Sequence, residues 1–242
     1  MMKQLQVCAL TLLAAIAVSV SGCSYCGAPG REAAAPEGEF SIAELKAALR
    51  GERWEDRLAA VGQMKTRDDI PSGERIEILA EALAHEVTIQ DPLRAEGSYL
   101  SATDIVRVHL TRDLGELGRD ARETLRESLD QASGEARDRL ILALGHAGDQ
   151  SVSAEILKLL EGSENVAIRM EAARVLGLLD YREAIEALER ALEDPAVVSA
   201  QGHLRSYTIY PVREQAAGAL LRLGVQVGRN DQGELEIEGR NE

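Results

Sequence analysis

Cysteines are the residues of this chain best suited to covalent chemistry, and its three cysteines lie within the first 26 residues. Cys8 stands inside an apolar run, whereas Cys23 and Cys26 follow that run. A thiol can be acylated, can pair in a disulfide or can bind a metal. The residues around each cysteine therefore decide which chemistry it has.

The segment before Cys23 has the organisation of an export signal. Lys3 is followed by a mostly apolar run over residues 7–18, which is the order of the basic and apolar regions in a signal peptide. A membrane-spanning helix needs about 20 apolar residues, and this run becomes small and polar from Ser19 onward. We therefore predict that residues 1–22 are a signal peptide that is cleaved.

Val20-Ser21-Gly22-Cys23 resembles the lipobox of bacterial lipoproteins, in which one aliphatic and two small residues precede a cysteine. The resemblance implies that the Cys23 thiol carries a diacylglycerol and that the amine freed by cleavage is acylated as well. Ser24 stands where an aspartate usually favours the inner membrane, so the resemblance implies the outer membrane in a host that has two. The alternative is an ordinary signal peptide with a cysteine here by chance.

Residues 23–38 are predicted to be the lipidated N-terminus and a flexible tether, because they are rich in Pro, Gly and Ala and lack an apolar period. A flexible coil of this length would hold a folded domain about 20 Å from the bilayer. Cys26 becomes a lone thiol once Cys23 is acylated. It either has no role or forms an intermolecular disulfide.

Known catalytic motifs are absent from the sequence. It contains no glycine-rich loop of the Walker or dinucleotide type, no HExxH pattern and no G-x-S-x-G elbow. The histidines occupy no common position in the repeats described next, so we expect no metal and no cofactor besides the covalent lipid. One rival hypothesis is an enzyme with a site assembled from His203, Glu86 and Asp91.

The apolar residues beyond the tether have helical spacing, and one segment recurs among them. In each of four copies an arginine precedes a leucine by seven residues, and a glycine follows that leucine in the first three copies. The arginines are Arg107, Arg137, Arg169 and Arg213. A more divergent copy at residues 54–62 opens the series.

We name all five copies, including the one at 54–62, first-type helices. Each of the first four is followed by a second-type amphipathic segment. The second-type segments are 73–86, 119–131, 152–161 and 182–193. A pair of amphipathic helices cannot cover its own apolar faces, so neighbouring pairs must stack. We therefore predict an all-α fold, a short α-solenoid over residues 39–224. Alternation around 230–233 predicts a small β-hairpin in the tail 225–242, as a cap on the stack.

Residues 168–180, with 184–192 after them, resemble HEAT repeats of the short bacterial or PBS-lyase type. The resemblance covers about residues 52–224. It implies the fold more firmly than the function, because such repeats serve as scaffolds, adaptors and some enzymes. In that family the recurring arginine pairs structurally with an acid near the preceding turn, which here implies Asp104, Glu135 and Glu164. The glycines of the repeats predict close approach of helices or turning of the chain.

Two insertions interrupt the repeats, at 87–101 and 196–210. Because each precedes a first-type helix, both should emerge on the same edge of the stack. Tyrosine and arginine often anchor interfaces, and loops on a rigid frame commonly carry recognition. The candidate partner-binding residues are Tyr99, His203, Arg205, Tyr207 and Tyr210. The alternative is that these tyrosines merely cover helix ends.

The negative charge of the chain argues against one class of binding partner, nucleic acids. Without residues 1–22, the chain has 26 basic and 41 acidic residues, a net charge of −15. Such a surface repels phosphate backbones, so we expect no nucleic-acid partner, although the acidity also has the simpler meaning of solubility.

We predict a non-catalytic scaffold or adaptor that binds a protein partner in the cell envelope. Its lipid attaches it to the membrane. The alternatives are an enzyme or ligand-binding protein with a site at the insertions, and a structural subunit without a separable ligand.

Overall fold

Helices dominate the fold in the computed structural model, which describes residues 40–90, 100–201, 206–229 and 235–237. The predicted signal peptide, Cys23 and the tether lie outside the described residues. Within the described part, no helix combines the length and the apolar character that crossing a membrane requires.

A short helix, α1 (Ile42–Ala48), precedes the repeats and has no counterpart in the repeat pattern. Its start is fixed by a capping box, in which the Ser41 Oγ accepts the Glu44 N–H at 3.3 Å and the Glu44 carboxylate accepts the Ser41 N–H at 2.8 Å. Leu45 and Leu49 are buried, and α1 packs against the first repeat helix. It thus covers the apolar end of the stack.

Helix pairs make up the rest of the chain. The first-type helices are α2 (Trp54–Lys65), α4 (Ala102–Leu117), α6 (Gly134–His146), α8 (Val166–Leu178) and α10 (Pro211–Arg222). The second-type helices are α3 (Ser72–Glu86), α5 (Arg122–Gln131), α7 (Ser153–Gly162) and α9 (Ile185–Ala191). One 3₁₀ turn, Gln150–Val152, precedes α7, and another, Arg182–Ala184, precedes α9.

The predicted apolar stripes of the second-type helices face the core. Ile76, Leu79 and Leu83 of α3 are fully buried, as are Leu125 of α5 and the corresponding residues of α7 and α9. These side chains join the buried faces of the first-type helices in one continuous core that runs through all the pairs. The all-α solenoid is confirmed.

The first-type helices form a curved inner layer. Successive members pack side by side from α2 to α10, and α4 also contacts α8 although α6 lies between them. Helices packed 8–10 Å apart in a straight row would hold α4 and α8 about 16–20 Å from each other. The row is therefore bent, which leaves the second-type helices as the outer layer.

Glycines allow neighbouring helices of the inner layer to approach each other closely. A Cβ on Gly177 of α8 would lie 2.7 Å from the Cα of Ala219 in α10. A Cβ on Gly115 of α4 would overlap His146 in α6, whereas one on Gly145 of α6 would overlap the side chains of Val175 in α8 and Ile156 in α7. The recurring glycine of the repeat is thus a point of close packing, between helix backbones at Gly115 and Gly177 and against side chains at Gly145.

The second insertion contains a β-hairpin that the sequence does not predict. Strand β1 (Val198–Gln201) pairs antiparallel with β2 (Ser206–Ile209), so that Val198 lies opposite Ile209. Four-residue strands are at the lower limit of what alternation can reveal. For the segment 196–210 the sequence therefore predicts only a longer connecting loop.

The predicted C-terminal hairpin is confirmed. Strand β3 (Val227–Arg229) pairs antiparallel with β4 (Leu235–Ile237), and β3 packs against α10. The half-buried side chains of Val227, Leu235 and Ile237 pack against the core. The hairpin thus covers part of the last helix, as the open end of a helical stack requires.

Replacing Gly177 by alanine should lower the free energy of unfolding by about 1–3 kcal/mol, because the new methyl group meets the backbone of α10 and overpacks the interface. Urea unfolding of the full chain measures the change.

The matched control is Gly62→Ala in α2, where a Cβ would meet nothing within 4 Å. It should stabilise the chain by about 0.5–1 kcal/mol through helix propensity. If both variants changed stability equally, close approach at Gly177 would not limit the packing.

Candidate interaction surface

The structure describes two of the five candidate partner-binding residues. Tyr99, His203 and Arg205 lie outside the described residues. Tyr207 lies in β2, with its Cα opposite that of Ala200 in β1. The backbone register thus puts Tyr207 on the hairpin that leaves the helical stack.

Tyr210 occupies the N-cap position of α10 and is half-buried. The Arg213 guanidinium lies over its ring, 4.2 Å from the ring centroid, which is a cation–π contact. This contact holds the ring against the start of α10. Tyr210 therefore covers a helix end, which is the simpler role considered for the tyrosines.

The first insertion begins at a network of buried arginine contacts. Nε and Nη2 of Arg57 donate to the Glu86 carboxylate at 2.7 and 3.0 Å, and Nη1 donates to the two carbonyls of residues 51 and 52. Arg107 donates to the Glu86 carbonyl at 3.0 Å and to the Ile89 carbonyl at 2.9 Å. Glu86 thus joins the arginines of two successive first-type helices.

The second insertion begins at the same arrangement. Nε and Nη2 of Arg169 donate to the Asp194 carboxylate at 2.8 and 3.2 Å, and Nη1 donates to the carbonyls of residues 163 and 164. Arg213 donates to the Asp194 carbonyl at 2.7 Å. We name these two networks, Arg57–Glu86–Arg107 and Arg169–Asp194–Arg213, the insertion roots.

Both insertion roots occupy the same place in the repeat, at the end of a second-type helix and before the next first-type helix. Between them, Arg137 donates one long bond, 3.3 Å, to the Leu129 carbonyl and lies 3.6 Å from Glu155, with its side chain 41% exposed. The full arginine–acid–arginine network thus occurs where an insertion follows. Both insertions therefore leave the stack on the same edge.

The acids implied by the HEAT resemblance are used in different ways. Arg107 lies 3.3 Å from Glu135 and 3.8 Å from Asp104. Glu164 contributes its backbone carbonyl to Arg169 and not its carboxylate. The carboxylate comes instead from Asp194, at the end of the following helix.

Arg57 is the member of the arginine series that lies in the divergent copy at residues 54–62. It lies seven residues before Met64, so the spacing of the other copies holds with methionine in place of leucine. Met64 is fully buried, as those leucines are. A repeat pattern that admits any large apolar residue at this position therefore finds Arg57.

The geometry of Glu86 does not fit its part in the enzyme hypothesis. Its side chain is fully buried, and both carboxylate oxygens accept hydrogen bonds from Arg57. Its role is that of an ion-pair partner at an insertion root. Asp91 and His203 lie outside the described residues, and no group of His, Cys, Asp and Glu suited to a metal ion occurs among the residues that are described.

An ion pair with a fully buried carboxylate spans the inner layer. Nε of Arg112 in α4 donates to the Glu171 carboxylate of α8 at 3.1 Å, and Nη2 of Arg112 donates to its other oxygen. Nε2 of His146 in α6 lies 3.1 Å from the same carboxylate. We name Arg112, His146 and Glu171 the inner clasp, because they tie three successive first-type helices together.

The inner clasp controls the charge of Glu171. Burial pushes the pKa of this carboxyl upward, but the hydrogen bonds from His146 and Arg112 and the positive charge of Arg112 outweigh it and lower the pKa from 4.5 to about 2. Glu171 therefore stays ionised under all ordinary conditions. A buried carboxylate with compensating donors fixes the spacing of the helices around it.

Further titratable groups lie beside the inner clasp on α4. Burial lowers the pKa of His109 and raises the pKa of Asp113. Lys65 of α2 reaches Asp113 at 3.2 Å and Glu116 at 2.7 Å, which raises the pKa of the lysine. Polar contacts thus continue along the inner layer from α2 to α8.

The three middle helices of the inner layer, α4, α6 and α8, offer little open surface. In α8 the only exposed residue is Leu178, in α4 it is Glu116, and in α6 it is Gly134. The contact between α4 and α8 and the inner clasp close the middle of this face. Most of the accessible surface in the middle of the stack therefore lies on the outer layer and along the edge of the insertions.

The segment 122–202, from α5 to the end of β1, matches the family model of HEAT repeats. This match supports a HEAT-repeat protein. It covers the two pairs α6–α7 and α8–α9, together with α5, and includes Arg169 and Asp194 of the second insertion root. A search of the curated proteins finds no match to the chain. The helical repeat architecture is a scaffold of the kind that serves protein interaction.

The sequence contains one signal for the inner clasp. Helix α8 carries apolar residues on all sides, which predicts a helix buried all round. Glu171 interrupts this apolar surface, and a carboxylate in such a place needs a buried partner. The identity of that partner, an arginine 59 residues earlier, has no local signal.

Replacing Glu171 by glutamine should lower the free energy of unfolding at pH 7 by about 1–3 kcal/mol, because it leaves the partly buried Arg112 beside an uncharged acceptor and weakens its hydrogen bonds. The pKa of Glu171 is lower in the folded chain, so its contribution is present above pH 4.5 and is lost as the pH falls toward 2. The stability of the wild type should therefore fall more steeply between pH 4.5 and 2 than that of Glu171→Gln.

Urea unfolding at a series of pH values makes the comparison. Glu116→Gln is the control, since this exposed acid pairs only with a half-exposed lysine and its loss should cost at most about 1 kcal/mol. Parallel pH profiles of stability for the wild type and Glu171→Gln would show that ionisation of Glu171 does not stabilise the fold.

Proposed function

We propose that the mature protein is a lipid-anchored scaffold of the cell envelope, which holds a protein partner along the edge where its two insertions leave the helical stack. Cys23 carries the acyl chains in this proposal, and residues 24–38 tether the stack to the membrane. In a host with two membranes the anchor lies in the outer membrane. No catalytic step is part of the role.

The observation that carries the scaffold role is the pair of insertion roots. A recognition loop binds well when its ends are already fixed, because less conformational entropy is then lost on binding. Glu86 and Asp194 fix the chain at the start of the two insertions, each through contacts with two arginines. These contacts are more extensive than connecting loops alone would need.

The anchor is supported by the sequence alone. Val20-Ser21-Gly22-Cys23 supplies the acylation site, and each buried CH₂ of an acyl chain contributes about 0.8 kcal/mol to membrane binding. Two or three chains hold a protein firmly, whereas one chain holds it only marginally.

Cells that express the full chain and are fed an alkyne-tagged fatty acid should label the wild type and leave Cys23→Ala unlabelled, because the proposal has no other acylation site. In-gel fluorescence after coupling of the dye measures the label. Cys26→Ala is the matched control and should keep the label. A labelled Cys23→Ala, or a purified wild type that begins at Met1, would contradict the anchor.

Joint replacement of Arg205 and Tyr207 by alanine should weaken the partner band after mild crosslinking of membranes, since arginine and tyrosine commonly carry interface energy. Quantitative mass spectrometry of the crosslinked complex measures the loss. Arg119→Ala, an exposed arginine just beyond α4, is the control. A partner profile equal in all variants would remove the insertion edge from the proposal.

A further inference from the structure

An open groove lies between the C-terminal ends of α7 and α9 in the outer layer. Its volume is about 620 Å³, and its floor is formed by Leu160, Ala187 and Ala191. The groove exists partly because two of these floor residues are alanines, and larger side chains at these positions would fill it. This floor gives the outer layer an apolar site beside charged rims.

Ion pairs form the rims of the groove. Arg190 of α9 donates to Glu161 of α7 at 2.6 Å, with both side chains about half exposed or more. Such an exposed pair contributes little to stability, so a competing cation can take the carboxylate of Glu161. Glu193, also on the rim, is exposed and forms no ion pair with any described residue.

The outer layer around the groove is acidic. Helices α3, α5, α7 and α9 together expose nine acidic side chains and three basic ones. This excess of acidic side chains faces any partner that approaches the groove from solvent. Electrostatic complementarity therefore favours a basic partner, both in its encounter rate and in its specificity.

The groove is continuous with the second insertion. Asp194 and Pro195 belong to its lining, and the Asp194 carboxylate accepts the Ala196 N–H at 2.9 Å, just before β1. Val197 follows with 52% of its surface exposed, which is large for an apolar side chain. An exposed apolar side chain thus lies between the groove and the hairpin.

We infer that this groove binds an extended segment of a protein partner in which basic residues alternate with apolar ones. The apolar side chains enter the groove over Ala187 and Ala191, and the basic side chains meet Glu161 and Glu193 on its rims. The inference rests on the proposed scaffold role and adds the site and the chemistry of the partner.

Other occupants fit the groove less well. A small molecule is usually buried over 70–90% of its surface, whereas this groove is open along one side. A second copy of the chain would bring its own acidic outer layer against the acidic rims, with a net charge of −14 on each chain. A basic protein segment satisfies the apolar floor and the acidic rims together.

The test uses the full chain and a fluorescein-labelled peptide of nine residues in which lysine alternates with valine. Fluorescence anisotropy should show saturable binding, and a peptide with glutamate in place of lysine should not bind. Ala191→Leu should weaken binding by at least about tenfold, because it fills the space that one apolar side chain of the peptide occupies.

Two matched pairs of variants separate the groove from the general acidity of the chain. Glu193→Lys should weaken binding more than Glu77→Lys, which makes the same charge change on α3 of the outer layer. Ala191→Leu is compared with Ala84→Leu, an exposed alanine of α3. Circular dichroism checks that each variant folds, and Glu193→Lys, at an exposed site, keeps the test valid if Ala191→Leu does not fold.

Absence of saturable binding, or equal losses for the groove variants and their controls, would overturn the groove proposal. A dimer of the full chain that is lost in Ala191→Leu, seen by sedimentation, would assign the groove to a second copy instead. Either result leaves the fatty-acid labelling at Cys23 and the effect of Arg205 and Tyr207 on crosslinking unchanged. Failure of the groove is thus distinguishable from failure of the scaffold role.

Discussion

Each helix pair depends on its neighbours to cover its apolar faces, and the rest of the structure follows from that dependence. The inner layer meets it by close packing, which Gly115, Gly145 and Gly177 permit because no Cβ separates the helices. The ends need other devices. Helix α1 covers the first pair, and the hairpin β3–β4 covers part of α10, so the apolar core ends on both sides in segments that do not repeat.

Close packing of the inner layer also determines where charge can be buried. Arg57 and Glu86 are both inaccessible, and each side-chain nitrogen of the arginine donates to a carboxylate or to the turn before α2. Buried ion pairs add little net stability compared with apolar packing. If one helix pair were shifted along its neighbour, however, a buried charge would lose its partner at a high cost in free energy. The arginine networks therefore favour one alignment of each helix pair against the next.

The sequence predicted the architecture better than the candidate site, because the two depend on different ranges along the chain. Helical spacing, repeated leucines and glycines are local patterns, and they located the second-type helices close to their observed bounds. Helix α1 does not repeat, and the strands of β1–β2 are too short to alternate visibly. The inner clasp joins Arg112 to Glu171 across two repeats, and only the curvature of the stack brings these residues together.

The curvature that makes the inner clasp possible also decides which surfaces remain for recognition. A gently curved solenoid presents its concave face to a partner, but here α4 and α8 meet over α6, and that face is closed by buried polar contacts. In the middle of the stack, the outer layer and the edge of the stack remain open for the proposed recognition. The insertion roots stand on that edge, and the groove between α7 and α9 opens beside the second root. In the proposed anchored scaffold, a partner that contacts the outer layer near this edge leaves the other end of the stack, where α1 lies, free to face the membrane.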